Sequence, residues 1–305
     1  MRSHDLDSSR PRGRRQFDDD EPNDLKFRGP RRQAVAEADA PDTGDRWSSW
    51  DAADHGPEPI PDWVVTEHAA VDDELGILKT GKEADVHLVR RAVPETGRSV
   101  LLAVKRYRDA DHRLFHRDAG YLEGRRVRRS REMRAMENRT SFGRQMIAGQ
   151  WAAAEFAALS RLWHIGRTMG GIHVPYPVQL LGTELMLEFI GDADGQAAPR
   201  LAQARPEPDE LLDLWRQMVE ALTVLARSGL AHGDLSPYNM LVHEGRLVLI
   251  DLPQIVDVIA NPQGPEFLSR DVRVVSAWFA SRGLPSELAD PEPLISTLLA
   301  EANLR

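Results

Sequence analysis

Two short segments constrain this chain more than any others: His232-Gly233-Asp234-Leu235-Ser236-Pro237-Tyr238-Asn239-Met240-Leu241 and the apolar run Leu247-Val248-Leu249-Ile250-Asp251. They place an Asp and an Asn five residues apart on one loop and a second Asp at the end of a short β-run. Phosphoryl transfer from ATP uses this side-chain set. One carboxylate orients the attacking hydroxyl, while an amide oxygen and a second carboxylate hold magnesium against the phosphates. A turn capped by Asn239 would explain the loop alone, since Asp, Gly and Asn all favour turns. It would not explain the strand ending in Asp251.

A Lys and a Glu upstream complete the pattern. Val100-Leu101-Leu102-Ala103-Val104-Lys105-Arg106-Tyr107 is a β-run with Lys105 near its end. A lysine buried there is costly unless paired. Its partner is sought in the Ala-rich stretch Trp151 to Trp163, whose composition favours helix. Spacing puts Glu155, Leu159 and Leu162 on one face. Taken alone, Glu155 reads as an exposed residue at the edge of that stripe. Beside Lys105, an ion pair is the better reading.

Gly76-Ile77-Leu78-Lys79-Thr80-Gly81-Lys82-Glu83 has the spacing of a P-loop. Glu83, however, stands where a hydroxyl must meet magnesium, and a P-loop must open a helix. Val86-His87-Leu88-Val89 instead reads as a strand. The segment is therefore expected to form a strand–turn–strand lid, with the backbone of Thr80, Gly81, Lys82, Glu83 and Ala84 near the phosphates.

In this order the segments resemble protein kinases, whose catalytic loop reads H-R-D-x-x-x-x-N and whose lysine strand reads V-A-I-K. More closely, they resemble the bacterial branch of the RIO family of atypical serine/threonine protein kinases. The pieces are Thr80 to Val86, Ala103-Val104-Lys105, Trp151 to Glu155, Leu187-Glu188-Phe189-Ile190-Gly191, His232 to Leu241, Ile250-Asp251-Leu252-Pro253-Gln254, and Asn261-Pro262 through Phe267 to Val272. The likeness covers about residues 60 to 285.

The resemblance implies that Asp234 is the catalytic Asp and that Asn239 and Asp251 bind magnesium, with manganese as an alternative ion. Lys105 contacts the ATP phosphates and Glu155 anchors it. Leu187 backs the adenine pocket, and backbone groups of Glu188 and Ile190 face the adenine edge. Gly233 replaces the kinase Arg that serves a phosphorylated activation loop, which implies activity without that switch. Asp251-Leu252-Pro253-Gln254 replaces D-F-G and lacks its Gly hinge, which argues against a flipping activation segment.

The resemblance implies an α+β, two-lobed protein-kinase-like fold with a truncated C-lobe, preceded by a disordered N-terminal tail. Residues 1–58 are expected to be that tail: Arg-rich and Asp-rich runs with few apolar residues cannot bury enough surface to order themselves. Docking through Trp47 and Trp50 is the alternative to a solvated tail. Residues 59–190 form the N-lobe, with a long basic insert over 106–150, and 191–305 form the reduced C-lobe. There, Leu211, Leu214, Trp215, Met218 and Leu222 make one apolar stripe and Gly229 is a helix stop. Two or three further helices are expected beyond Pro253, with no room for the usual peptide-docking surface.

The net charge of −9 argues against generic nucleic-acid affinity. The absence of Cys excludes disulfides and thiolate metal sites. No apolar run reaches the roughly 18 residues of a membrane span, and no secretory signal is visible, so a cytoplasmic protein with no membrane partner is expected. The basic stretch Gly124 to Arg131 reads as a solvated loop or helix, with RNA contact as the alternative.

Two functions stay open. One is a kinase that phosphorylates an unknown protein substrate on Ser or Thr, itself included, with Ser130, Thr140 and Ser141 as acceptors. The other is an ATPase switch, with a phospho-aspartate at Asp251, acting on a ribosomal particle or another large assembly. A small-molecule phosphotransferase also carries an H-G-D loop, but the Gly81-Lys82-Glu83-Ala84 and Asp251-Leu252-Pro253-Gln254 segments speak against it.

Overall fold

A computed structural model describes residues 40–108 and 141–304. The N-terminal half is built on one antiparallel sheet of seven strands, in the order β1-β3-β4-β5-β7-β6-β2. The strands are β1 (Arg46–Trp47), β2 (Asp54–His55), β3 (Val71–Thr80), β4 (Ala84–Ala92), β5 (Ser99–Tyr107), β6 (Pro177–Leu181) and β7 (Glu184–Glu188). Helix α1 (Ser141–Met169) lies between β5 and β6 in sequence and packs on the sheet.

Both faces of the central strands are covered, so β5 carries two apolar sets by the period-2 alternation of a strand. Leu102 and Val104 join Trp50, Val64, Val89, Tyr176, Val178 and Met186 in a small core on one face. Tyr107 and Leu185 join the larger core that contains Leu159 and Leu162 of α1. The small core holds a buried charge pair. Arg91 meets Asp72 at 2.7 Å and the Gln179 Oε1 at 2.7 Å, and the Gln179 amide donates to the Ser49 hydroxyl at 2.8 Å.

Residues 40–58 do not fit the expectation of a tail. β1 pairs with β3, β2 pairs with β6, and Trp50 is 7% exposed and stacked on His55 at 3.8 Å. The segment is too polar to carry a core of its own, yet Trp50 completes a core supplied by the sheet. Low local hydrophobicity could not reveal that. Residues 1–39 lie outside the described residues, as do 109–140, which hold most of the basic insert, Ser130 and Thr140. The insert is shorter than expected at both ends: Arg106 and Tyr107 belong to β5, and 141–150 are already helical.

The second half contains α2 (Pro208–Arg227), the strands β8 (Leu230–Ala231), β9 (Met240–His243), β10 (Arg246–Leu249) and β11 (Val256–Asp257), and the helices α3 (Gly264–Ser281), α4 (Ser286–Ala289) and α5 (Pro291–Glu301). α2 begins with Pro208 and has Asp209 and Glu210 in its first turn and Arg227 in its last, which complements the helix dipole. Its expected stripe, Leu211 to Leu222, is buried, and Gly229 follows its end at φ 70°. The Gln217 side chain of α2 grips the β9–β10 hairpin, accepting from the Leu247 N–H at 2.9 Å and donating to the Gly245 carbonyl at 2.7 Å. No helix among the described residues is long and apolar enough to cross a membrane.

Because Trp50 fills a core, Trp50→Ala is expected to cost about 3–5 kcal/mol of stability. Denaturant unfolding of the full chain checks this; a change below roughly 1 kcal/mol would show that the segment merely lies on the sheet.

Candidate active site

Lys105 leaves β5 on the face that carries α1. Its ammonium lies 2.9 Å from Glu155 Oε1 and 2.7 Å from Oε2, and 2.8 Å from Asp251 Oδ1. Glu155 is 2% exposed, as its place in the Leu159–Leu162 stripe requires, so the exposed reading is excluded. The Tyr107 hydroxyl also donates to Glu155. Burial alone would lower the Lys105 pKa, but Glu155 and then Asp251 outweigh it and hold the amine above the usual lysine range. The converse holds for Asp251: burial would raise its pKa, and Lys105 keeps it below the ordinary carboxylate value. Burial, then Glu155, pushes the Tyr107 phenol well up, so it remains a donor.

Asp251 follows β10 and sits in the left-handed region at φ 65°, which Asp tolerates better than most residues. The loop from β8 to β9 lies beside it. The Asn239 amide donates to the Asp234 carbonyl at 2.9 Å, while the Asn239 carbonyl accepts from the Ile250 N–H at 3.0 Å. Asp234, Asn239 and Asp251 are thereby locked into one constellation. Asp234 Oδ1 lies 3.3 Å from Arg270 on α3.

Asp271, part of the Phe267 to Val272 segment but without a role assigned from sequence, organises this loop. It is 1% exposed and accepts from the Gly233 N–H at 2.8 Å and the Leu235 N–H at 3.0 Å. Burial raises its pKa, opposed by His232 and the two N–H groups. The available signal was the one that identified Glu155: an acid in an apolar helical stripe, here Leu268, Val272, Val275 and Phe279. Gly233 has its own local cause. At φ 84°, a Cβ there would lie 2.4 Å from the Gln254 carbonyl oxygen, so only Gly fits beside the segment that follows Asp251.

The lid is a strand–turn–strand. Thr80 ends β3 opposite Asp85, and the Gly81 N–H closes the turn on the Ala84 carbonyl at 3.0 Å. Lys82 is exposed and forms no ion pair among the described residues. The Glu83 carboxyl is pushed up in pKa by burial and then by Asp251. Leu187 pairs with Ala103 on β5. The Glu188 N–H donates to the Tyr176 carbonyl and the Ile190 carbonyl accepts from the Ala198 N–H.

Two protein oxygens, from Asn239 and Asp251, suit magnesium, which keeps most of its shell for water and phosphate. The Asn239 Nδ2 is engaged on the Asp234 carbonyl, and its Oδ1 is the atom that could serve as such a donor. Among the described residues no group of three or more His, Asp or Glu could hold a metal by itself. The donor set therefore fits a cation carried by a phosphate ligand.

Residues 92–291 match the family model described as RIO domain. The chain is 34% identical over 226 residues to the RIO-type serine/threonine-protein kinase Rio1 of Haloferax volcanii, covering 74% of this chain and 69% of that protein. It is 33% identical over 223 residues to the serine/threonine-protein kinase RIO1 of Chaetomium thermophilum (70% of this chain) and 28% identical over 238 residues to that of Saccharomyces cerevisiae (72%). It spans only 40% and 46% of those two longer proteins. With the family matched across most of its length, this chain belongs to the RIO family of atypical serine/threonine protein kinases.

Proposed function

We propose that the cleft binds magnesium-ATP and transfers the γ-phosphoryl group to a Ser or Thr hydroxyl, the chain's own included. The observation that carries this is the Lys105 ammonium held between Glu155 and Asp251, beside the linked pair Asp234 and Asn239. Lys105 would bind phosphate oxygens and Glu155 would fix its position. Asn239 and Asp251 would hold magnesium, which neutralises charge on the phosphates. Thr80 to Glu83 would cover the phosphates, Leu187 would back the adenine, and the Glu188–Ile190 backbone would meet its edge.

In the transfer step the acceptor oxygen bonds to the γ-phosphorus as the bond to the β,γ-bridging oxygen breaks, and ADP leaves. The hydroxyl proton passes to Asp234. An unknown protein would be the external substrate, and a cytoplasmic location would suit a user of ATP. A second reading is an ATPase switch in which the γ-phosphoryl group passes to Asp251, on a ribosomal particle or other large assembly. It is favoured by the small C-lobe: beyond β11 the described residues supply only α3, α4 and α5 as a docking surface.

Asp234→Ala should slow autophosphorylation by roughly 10²–10⁴ while ATP affinity stays within a few-fold. Calorimetry beside a radiolabel assay measures both, and activity at half the wild-type rate would remove Asp234 from the step. Asp271→Ala leaves two buried N–H groups unpaired, at about 1–3 kcal/mol each. It should lower the unfolding midpoint and slow transfer more than it weakens ATP binding.

Hydroxylamine separates the two readings. Label on Ser or Thr resists it, whereas phospho-aspartate is released. Label that vanishes and survives combined Ala substitution of Ser130, Thr140 and Ser141 would establish the switch.

A further inference from the structure

The lid strand carries a cation to which the reading above assigns no task. Lys79 on β3 pairs with Val86 on β4, Val86 pairs with Lys105 on β5, and Lys105 pairs with Leu185 on β7. Residues directly opposite in antiparallel strands point to the same face. Lys79 therefore leaves the sheet on the face from which Lys105 reaches Glu155 and Asp251. With neighbouring strands about 4.8 Å apart, the two lysine backbones are separated by roughly 10 Å. Both stems can close on a single polyphosphate.

Several arginines of this sheet are neutralised from within it. Arg90 meets Asp73, Arg91 meets Asp72, and Arg106 meets Glu74 and Glu184. Lys79 forms no ion pair among the described residues. Another cation, Arg200, forms no ion pair among the described residues either. Its guanidinium donates to the Tyr238 carbonyl, next to Asn239 in the catalytic loop. The two charges sense each other: burial and then Arg200 lower the Lys79 pKa, with Lys105 adding to them and Asp251 and Glu155 opposing.

Two cations without carboxylate partners, one on the lid strand and one bonded to the loop at Tyr238, repel, and an anion between them removes that repulsion. We infer that Lys79 and Arg200 form a second phosphate-binding pair of the cleft, gripping the nucleotide's polyphosphate from the lid strand and from beside the loop that carries Asp234. The inference rests on the reading of this cleft as a magnesium-ATP site. It adds a lysine that Lys105 does not replace and that lies outside residues 92–291, where the family model matches.

Calorimetry on the full chain tests it, with magnesium-ATP, adenosine and inorganic tripolyphosphate as probes. Lys79→Ala and Arg200→Ala should each weaken ATP and tripolyphosphate by roughly 10-fold to 100-fold, the loss of a hydrogen bond to a charged group. Adenosine affinity should not change, and Lys79→Arg should restore ATP affinity to within about 3-fold. The double variant should lose less than the product of the single losses, because the pair acts on one ligand. Lys79→Gln serves if the Ala variant folds poorly.

The inference alone falls if Lys105→Ala weakens ATP while the Lys79 variants bind it normally. It also falls if adenosine is lost in parallel with ATP, or if only the KM of a peptide substrate moves. Wild-type protein that binds no ATP would overturn both the pair and the reading of the cleft.

Discussion

The ammonium of Lys105 is the charge on which the rest of the molecule depends. A cation with its side chain 13% exposed persists in the interior only where carboxylates surround it, and the two that do so come from distant parts of the chain. Glu155 belongs to α1, and Asp251 follows the last strand of the β9–β10 hairpin. One amine thus ties sheet, helix and catalytic segment together. Breaking any arm leaves an uncompensated buried charge. The same arrangement that stabilises the fold prepares the cleft, since Asp251 stays ionised and Lys105 stays protonated.

A second tie, through Asp271, governs the catalytic loop. Its carboxylate receives two consecutive odd-numbered N–H groups, from Gly233 and Leu235, so the backbone on both sides of Asp234 is fixed to α3. Asp234 itself stays at the surface of the cleft with Arg270 beside it. The support comes from the backbone and leaves the Asp234 carboxylate accessible. Gly233 belongs to this support, because its backbone passes too close to Gln254 for a side chain.

The segment from residue 45 to residue 65 shows how local composition can mislead. It cannot fold by itself, yet two short strands, Trp50 and Val64 finish a core whose other buried members lie on or beside β4 to β7. The buried Arg91–Asp72 pair lies in that core, and the Gln179 that meets Arg91 also bonds to Ser49 of the segment.

The residue types and spacings within single elements were determined by sequence. The Asp234–Asn239 interval, the strand ending in Asp251, the lysine strand, the Glu155 stripe and the lid turn are local patterns with periods of two or 3.6 residues. These suffice to name the parts and the chemistry they suit. Contacts between elements were decided only by tertiary structure: which carboxylates reach Lys105, that Asp271 turns inward to the loop, that Trp50 is buried, and that Lys79 shares a face with Lys105 across an intervening strand. Each depends on register and packing between segments far apart in sequence. A shift of one residue in any of those pairings would turn the side chain to the opposite face, and local pattern alone carries no measure of that register.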